Sequence, residues 1–404
     1  MRPSVSTLPL CLVLLFLFSP VRADWLNFRG PYGSGAAPDR IPTVGELSEK
    51  TLAWKVALPG RGLGSPILVG EKVFITAASG PEQQQLHVLC FSARDGSLEW
   101  ERKFWATGRT MSHSKTNVAA PTPASDGARI YALYSSNDLV CLDLDGKLLW
   151  MRGLTLDYPN ASNSLGMASS PLVVGDTLVA QIENDSESFA AGFDLLTGMN
   201  RWKLDRPKSA NWTSPTILQK DGEAIVALQS SEGIVGLVPA TGSTVFSVPG
   251  GAATIPSAAA VGDELFIPAN GLTVVKLGLS GEPPRKLWNQ ANQRPGTASV
   301  VVSGENLFLI NNAGVLTNTN RRDGSVRWEI RLKGPFSGSP VMGGDGKLYL
   351  FNEQGVGQVV DTTGEKGAIT SEIPLGETIL STPALGDKSL YIRSDGHLWK
   401  FAAK

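Results

Sequence analysis

Gly192-Phe193-Asp194-Leu195-Leu196-Thr197-Gly198-Met199-Asn200-Arg201-Trp202 is the stretch that decides the fold. It reads as the end of one strand, a tight turn at Thr197-Gly198, and a second strand running out to Trp202. The turn needs a positive φ, which glycine adopts without steric cost. The same spacing, a glycine four residues before a large aromatic, recurs at Gly96/Trp100, Gly146/Trp150, Gly242/Phe246 and Gly324/Trp328. One spacing kept over this many copies marks a repeat architecture.

Working outward, each copy is preceded by a small residue and a proline, then by a short apolar run. Ser65-Pro66 leads into Val73-Phe74-Ile75, Ala120-Pro121 into Ile130-Tyr131-Ala132-Leu133, Ser170-Pro171 into Leu178-Val179-Ala180, and Ser214-Pro215 into Ala224-Ile225-Val226-Ala227. Ala258 and Val300 stand in the proline's place in the fifth and sixth units, and Ser339-Pro340 and Thr382-Pro383 open the last two. Successive anchors are 55, 50, 44, 43, 42, 40 and 43 residues apart. Eight units of roughly 40–45 residues, each holding four short strands, are the signature of propeller blades. The expected fold is therefore all-β, an eight-bladed propeller of four-stranded antiparallel blades. Insertions lengthen the early units at Ser79–Gln85, Trp105–Val118 and Leu156–Leu165.

The last unit ends at Lys404 without an outward strand, whereas Thr51-Leu52-Ala53-Trp54-Lys55-Val56-Ala57-Leu58 is a strand pattern with no unit before it. An N-terminal strand completing the last blade removes two exposed sheet edges at once. Trp54 then joins Trp100, Trp150, Trp202, Phe246, Trp288 and Trp328 as a docking aromatic, and Trp54→Ala is expected to cost about 3–5 kcal/mol. Residues 24–50, rich in Gly and Pro, read as an irregular surface lead-in to a propeller domain over 51–404.

Met1–Ala23 has a basic start, an apolar core and a small-residue cleavage site, the features of a secretory signal peptide. Its apolar run is too short to span a bilayer, and no other segment reads as transmembrane. Without those residues the chain carries 34 basic and 37 acidic side chains, no footprint for nucleic acid. Cys90 and Cys141 fall in equivalent strands of neighbouring units, about 10 Å apart if the sheets stack. That is beyond disulfide reach, and both read as small buried residues.

The Gly192–Trp202 pattern resembles the tryptophan-docking motif of quinoprotein-type eight-bladed propellers. In that family each indole stacks on the turn glycine of the next blade. The lead-in Trp25-Leu26-Asn27-Phe28-Arg29-Gly30-Pro31 with Leu52-Ala53-Trp54-Lys55 resembles exported bacterial PQQ-like repeat proteins, BamB-like propellers among them. The resemblance implies a periplasmic or extracellular protein. Three motif copies depart from the pattern: Leu142–Gly146 is one residue short, Phe246 replaces Trp, and no aromatic follows Thr363-Gly364. The family's redox members carry adjacent cysteines over the cofactor, and Cys90 and Cys141 do not match them. Their catalytic Asp and calcium ligands have no residue-by-residue counterpart, so no cofactor is predicted, with PQQ and Ca²⁺ as the alternative.

Three histidines in different units give no metal-ligand spacing. His113 is the one placed in an inter-blade insertion. Glu183-Asn184-Asp185-Ser186-Glu187 reads as a solvated acidic hairpin tip, with Glu183 and Asp185 as candidate oxygen ligands. Asn117, Asn163, Arg206 and Asn211 are the other polar candidates for one mouth of the channel. Ser169-Ser170-Pro171 and Ser214-Pro215 read as structural punctuation. The leading expectation is an exported, non-catalytic propeller that binds another envelope or extracellular protein. The alternatives are a PQQ-dependent oxidoreductase and a small-ligand or carbohydrate enzyme working near His113 and Glu183.

Overall fold

β-Branched and aromatic runs alternate with Gly, Asn and Asp turns along the whole chain, and these runs form the strands. The computed structural model describes residues 24–403 except 32, 38–42, 279–281 and 387. The expected signal peptide therefore lies outside the described residues. Eight four-stranded antiparallel sheets follow one another. Seven are built from consecutive strands, beginning with Ile67–Val69, Lys72–Ser79, Gln85–Ser92 and Leu98–Trp105 in blade 1. The middle strands are buried on both faces, as in Thr177–Ile182, because each sheet is covered by two neighbours. The outermost strands alternate between exposed and covered residues, as in Asn200–Asp205.

Each of the seven consecutive blades has a register shift between its third and fourth strands, at Gly192/Phe193 in blade 3 and Cys90/Phe91 in blade 1. Such a bulge adds twist and re-aims the side chains beyond it. Here it swings the outer aromatic onto the next blade. A Cβ added to Gly146 would lie 2.7 Å from Trp100, one on Gly198 2.7 Å from Trp150, and one on Gly242 2.6 Å from Trp202. The indole N–H groups of Trp150, Trp202 and Trp288 donate to the carbonyls of Leu195, Pro239 and Arg321, each three residues before the turn glycine. Trp100 donates to Leu144, two residues before Gly146, which absorbs the shortened motif. Trp328 packs on Gly367 in blade 7.

The ring closes as the sequence implies. Leu52–Ala57 is the outer strand of blade 8, antiparallel to His397–Ala402 with Val56 opposite Leu398.

Two sequence readings need correction. The step that opens blade 2 is Thr122-Pro123, not Ala120-Pro121, because Ala124–Ser125 is that blade's first strand. The lead-in is not a surface segment: Trp25, Arg29, Ser34, Ala36 and Ala37 are buried. It crosses beneath the inner strands. Trp25 bridges to Leu68 in blade 1, Leu26 accepts from Ser125 in blade 2, and Ala36 bridges to Met342 in blade 7. A Gly/Pro-rich segment with few apolar residues looks solvated in sequence. Here its backbone groups are satisfied by inner strands that have no other edge partner.

Candidate functional site

One hydroxyl residue stands two positions before each inner strand, and these hydroxyls form a belt around the axis. The backbone N–H of Ser65 donates to Thr122 Oγ1 (2.9 Å), that of Thr122 to Ser170 Oγ (3.0 Å), and that of Ser170 to Ser214 Oγ (2.9 Å). Ser214 continues to Ser257 (3.0 Å), Ser257 to Ser299 (2.9 Å), Ser299 to Ser339 (2.9 Å) and Ser339 to Thr382 Oγ1 (2.9 Å). Among the described residues no bond from Thr382 back to Ser65 completes the circle, and Ser65 Oγ is buried without a partner. The residues read as punctuation are thus also the wall of a central cavity.

That cavity measures about 470 Å³. In an extended chain, residues two apart face the same way. The positions two before the hydroxyls, among them Leu63, Ala168, Trp212 and Leu380, accordingly form a second and mostly apolar layer. Phe28 of the lead-in reaches the cavity from below. His113, Lys115, Thr116 and Leu165 line it from the insertions, together with Glu353 of blade 7. Lys115 Nζ stands 2.9 Å from Glu353 Oε2, and Ser337 Oγ donates to Glu353 Oε1 at 2.8 Å. His113 N–H donates to Leu165 O, which ties the two insertions together, and Trp212 Nε1 donates to Gly166 O.

Of the seven polar candidates named from sequence, His113 lines this cavity. Glu183, Arg206 and Asn211 do come together, but as a buried cluster at the junction of blades 3 and 4. Arg206 Nε lies 2.5 Å from Glu183 Oε1, Asn211 Nδ2 donates to Glu183 Oε2 (2.9 Å), and Gln181 Nε2 donates to Glu183 Oε1 (2.9 Å). Burial pushes the Glu183 carboxyl upward, against the pull of Arg206 and the two amides. The acidic hairpin tip is solvated only from Asp185, because Glu183 and Asn184 are buried. Asp185 accepts from the backbone of Ala210. Asn117 holds Gln83 and the Ala119 N–H, and Asn163 holds Ser135 O and Asn137. Asn117 and Asn163 pin loops.

A relay missed in sequence lies in blade 1. Ser79 Oγ is 2.6 Å from His87 Nε2, and His87 Nδ1 is 2.7 Å from Glu101 Oε1. The order matches a nucleophile–base–acid relay. Backbone around Gly60 lies directly over Ala78 and Ser79, leaving no room even for a Cβ, and Ser79 does not line the central cavity. Pairing across strands brings these residues together, and no motif spacing announces it.

A Ca²⁺-held PQQ needs several oxygen ligands around the cation. Among the described residues Glu353 is the only carboxylate lining the cavity, and Lys115 and Ser337 already occupy it. No described group of three or more His, Cys, Asp or Glu is placed to hold a metal. Cys90 and Cys141 are buried free thiols in separate blades. This donor set does not fit PQQ with Ca²⁺. No described helix is long and apolar enough to cross a membrane.

The chain is similar to known propellers in sequence and fold. BamB from Moraxella catarrhalis aligns with a TM-score of 0.62 at 15% identity, over 88% of this chain and 98% of that one. The quinohemoprotein alcohol dehydrogenase of Comamonas testosteroni gives 0.71 at 12% identity, over 95% and 81%. A europium-containing methanol dehydrogenase gives 0.69 at 13%, over 94% and 98%. At these identities the likeness is one of fold. A polyvinylalcohol dehydrogenase of a Pseudomonas species is 25% identical over 47% of this chain, a match spanning 33% of that relative's length. The family model described as outer membrane protein assembly factor BamB matches residues 42–162, 105–264 and 274–350. With three matched segments covering most of the ring, the chain belongs to that family of PQQ-like propellers.

Proposed function

We propose that this chain is an exported, non-catalytic propeller that docks another envelope or extracellular protein on the face where two insertions break the repeat. The observation that carries this reading is apolar exposure on those insertions. Trp105 is 65% exposed and Leu156 75%, with Met111 and Leu165 also exposed. The insertions are bound to each other through His113 N–H and Leu165 O, and Ser112 packs on Gly166. Large apolar side chains held out on ordered loops are characteristic of protein contact sites. The description of the family as an assembly factor of the outer membrane supports a protein partner and export. The oxidoreductase reading rests on the polyvinylalcohol dehydrogenase relative, and the lone, occupied carboxylate in the cavity argues against it. Carbohydrate or small-ligand catalysis by His113 with Glu183 is disfavoured because Glu183 is tied to Arg206 away from the cavity.

The test is site-specific photo-crosslinking in the native envelope. A crosslinker at Leu156 is expected to trap one dominant protein. A crosslinker at Val326, also apolar and exposed but on the outer strand of blade 6, is expected to trap none. Equal capture from both positions, or PQQ- and Ca²⁺-dependent dye reduction by the purified chain, would overturn the proposal.

A further inference from the structure

We propose that the central cavity binds a small carboxylate with an apolar body, its charged end on the hydroxyl belt and its body against the layer above. The site lies beneath the docking face and shares Leu165 with it, but the inference rests on the belt and not on that docking reading.

The belt offers donors rather than acceptors. In seven of the eight hydroxyls the oxygen accepts a backbone N–H from the preceding blade. Ser65 Oγ has no partner of any kind. Among the described residues none of the eight O–H groups donates to a protein acceptor, so their hydrogens remain available to whatever occupies the axis.

A buried positive charge lies beside the belt. Arg29 follows Phe28, which forms the floor, and it is 1% exposed. Its guanidinium donates to the carbonyls of Ala258 and Val300, one residue past the belt members Ser257 and Ser299. Its Nε has no partner. Burial lowers its pKa to about 9, with no nearby carboxylate contributing, so it stays charged at neutral pH. Arg29 does not itself line the cavity, but a buried cation without an anion is costly. An anion held on the belt, one residue from the carbonyls that Arg29 bonds, lowers that cost through the low-dielectric wall.

The remaining charges on the wall leave this preference intact, because Glu353 is neutralised by Lys115. Above the belt the wall is mostly apolar, formed by Leu63, Ala120, Ala168, Trp212, Ile255 and Leu380, with Thr297 and Ser337 as the two polar members of that layer. Its volume of about 470 Å³ is of the size small-molecule sites use. A bare inorganic ion would leave this layer uncovered, and a neutral alcohol would leave Arg29 uncompensated. A carboxylate with an aliphatic or aromatic body satisfies both.

Calorimetry on the full exported chain tests this, with octanoate and 1-octanol as probes. Octanoate is expected to bind with one equivalent, about tenfold or more tighter than 1-octanol. Leu380→Asp adds a repelling carboxylate to the apolar layer without touching a belt bond; both probes lose that apolar contact, and octanoate should lose about tenfold more affinity than 1-octanol. Ile255→Asp, at a half-exposed position that tolerates a charge, should do the same and stands in if Leu380→Asp does not fold. Equal affinity for the two probes, no heat with octanoate, or octanoate binding unchanged in the folded Asp variants would each overturn the proposal.

Discussion

Trp54 of blade 8 lies flat on Gly96 of blade 1: a Cβ on Gly96 would fall 2.8 Å from Trp54 Cδ2, and the indole N–H points at Ala93 O, 3.4 Å away. This contact joins the beginning of the ring to its end. Trp54 is only half-buried, so its removal should cost less than a core indole. Trp54→Ala is expected to lose about 2–4 kcal/mol in urea unfolding. Gly96 sits at φ 76°, and Gly96→Ala should lose about 1–3 kcal/mol through backbone strain and the clash with the indole.

The Glu183–Arg206 pair is a structural bolt between blades 3 and 4. Both side chains are nearly out of solvent. Arg206→Met leaves a buried carboxylate without its cation, and should cost about 3–5 kcal/mol. Asp185→Asn, at the exposed tip, should change stability by less than about 0.5 kcal/mol. Chemical denaturation of the two variants separates a binding cluster from a structural one.

Acid should loosen the docking turn of blade 3. Arg201, the larger influence, and then the Thr197 hydroxyl and backbone hold Asp194 down to about 2. Its unfolded value is about 3.9. A depressed carboxylate stabilises the fold above the unfolded value, and that contribution is lost as pH falls from about 4 towards 2. Melting temperature should therefore drop over this window in the wild type, and Asp194→Asn should flatten part of the drop.

Neither described cysteine should react in the folded protein. Burial raises the thiols of Cys90 and Cys141 to about 12. Iodoacetamide at pH 8 should leave both unmodified, and label them only after denaturation. Rapid labelling of the native chain would contradict the packing between blades 1, 2 and 3.

The repeat was legible because docking needs one glycine and one aromatic at a fixed distance, and both survive in most blades. Trp54 could be assigned to the last blade for the same reason. The second blade's opening was misread because Pro121 and Pro123 both follow small residues, and two residues apart they face the same way. The cavity was not legible. Ser65, Thr122 and Ser257 look like turn residues singly, and only the ring makes them converge. Arg29 looked solvated because its partners, the carbonyls of Ala258 and Val300, lie more than two hundred residues away. Glu183, Arg206 and Asn211 read in sequence as candidates for the channel mouth, but they lie outside the cavity lining. Their closeness to one another, rather than to solvent, depends on how blades 3 and 4 pack.

Closure of the ring by the N-terminal strand is the claim on which the cavity and both faces depend. Native-state amide hydrogen exchange tests it without altering the chain. Peptides covering Leu52–Ala57 should show the same protection as those covering Asn200–Asp205, the outermost strand of blade 3. Exchange of every Leu52–Ala57 amide at the rate of unstructured chain, while Asn200–Asp205 stays protected, would contradict the closed ring.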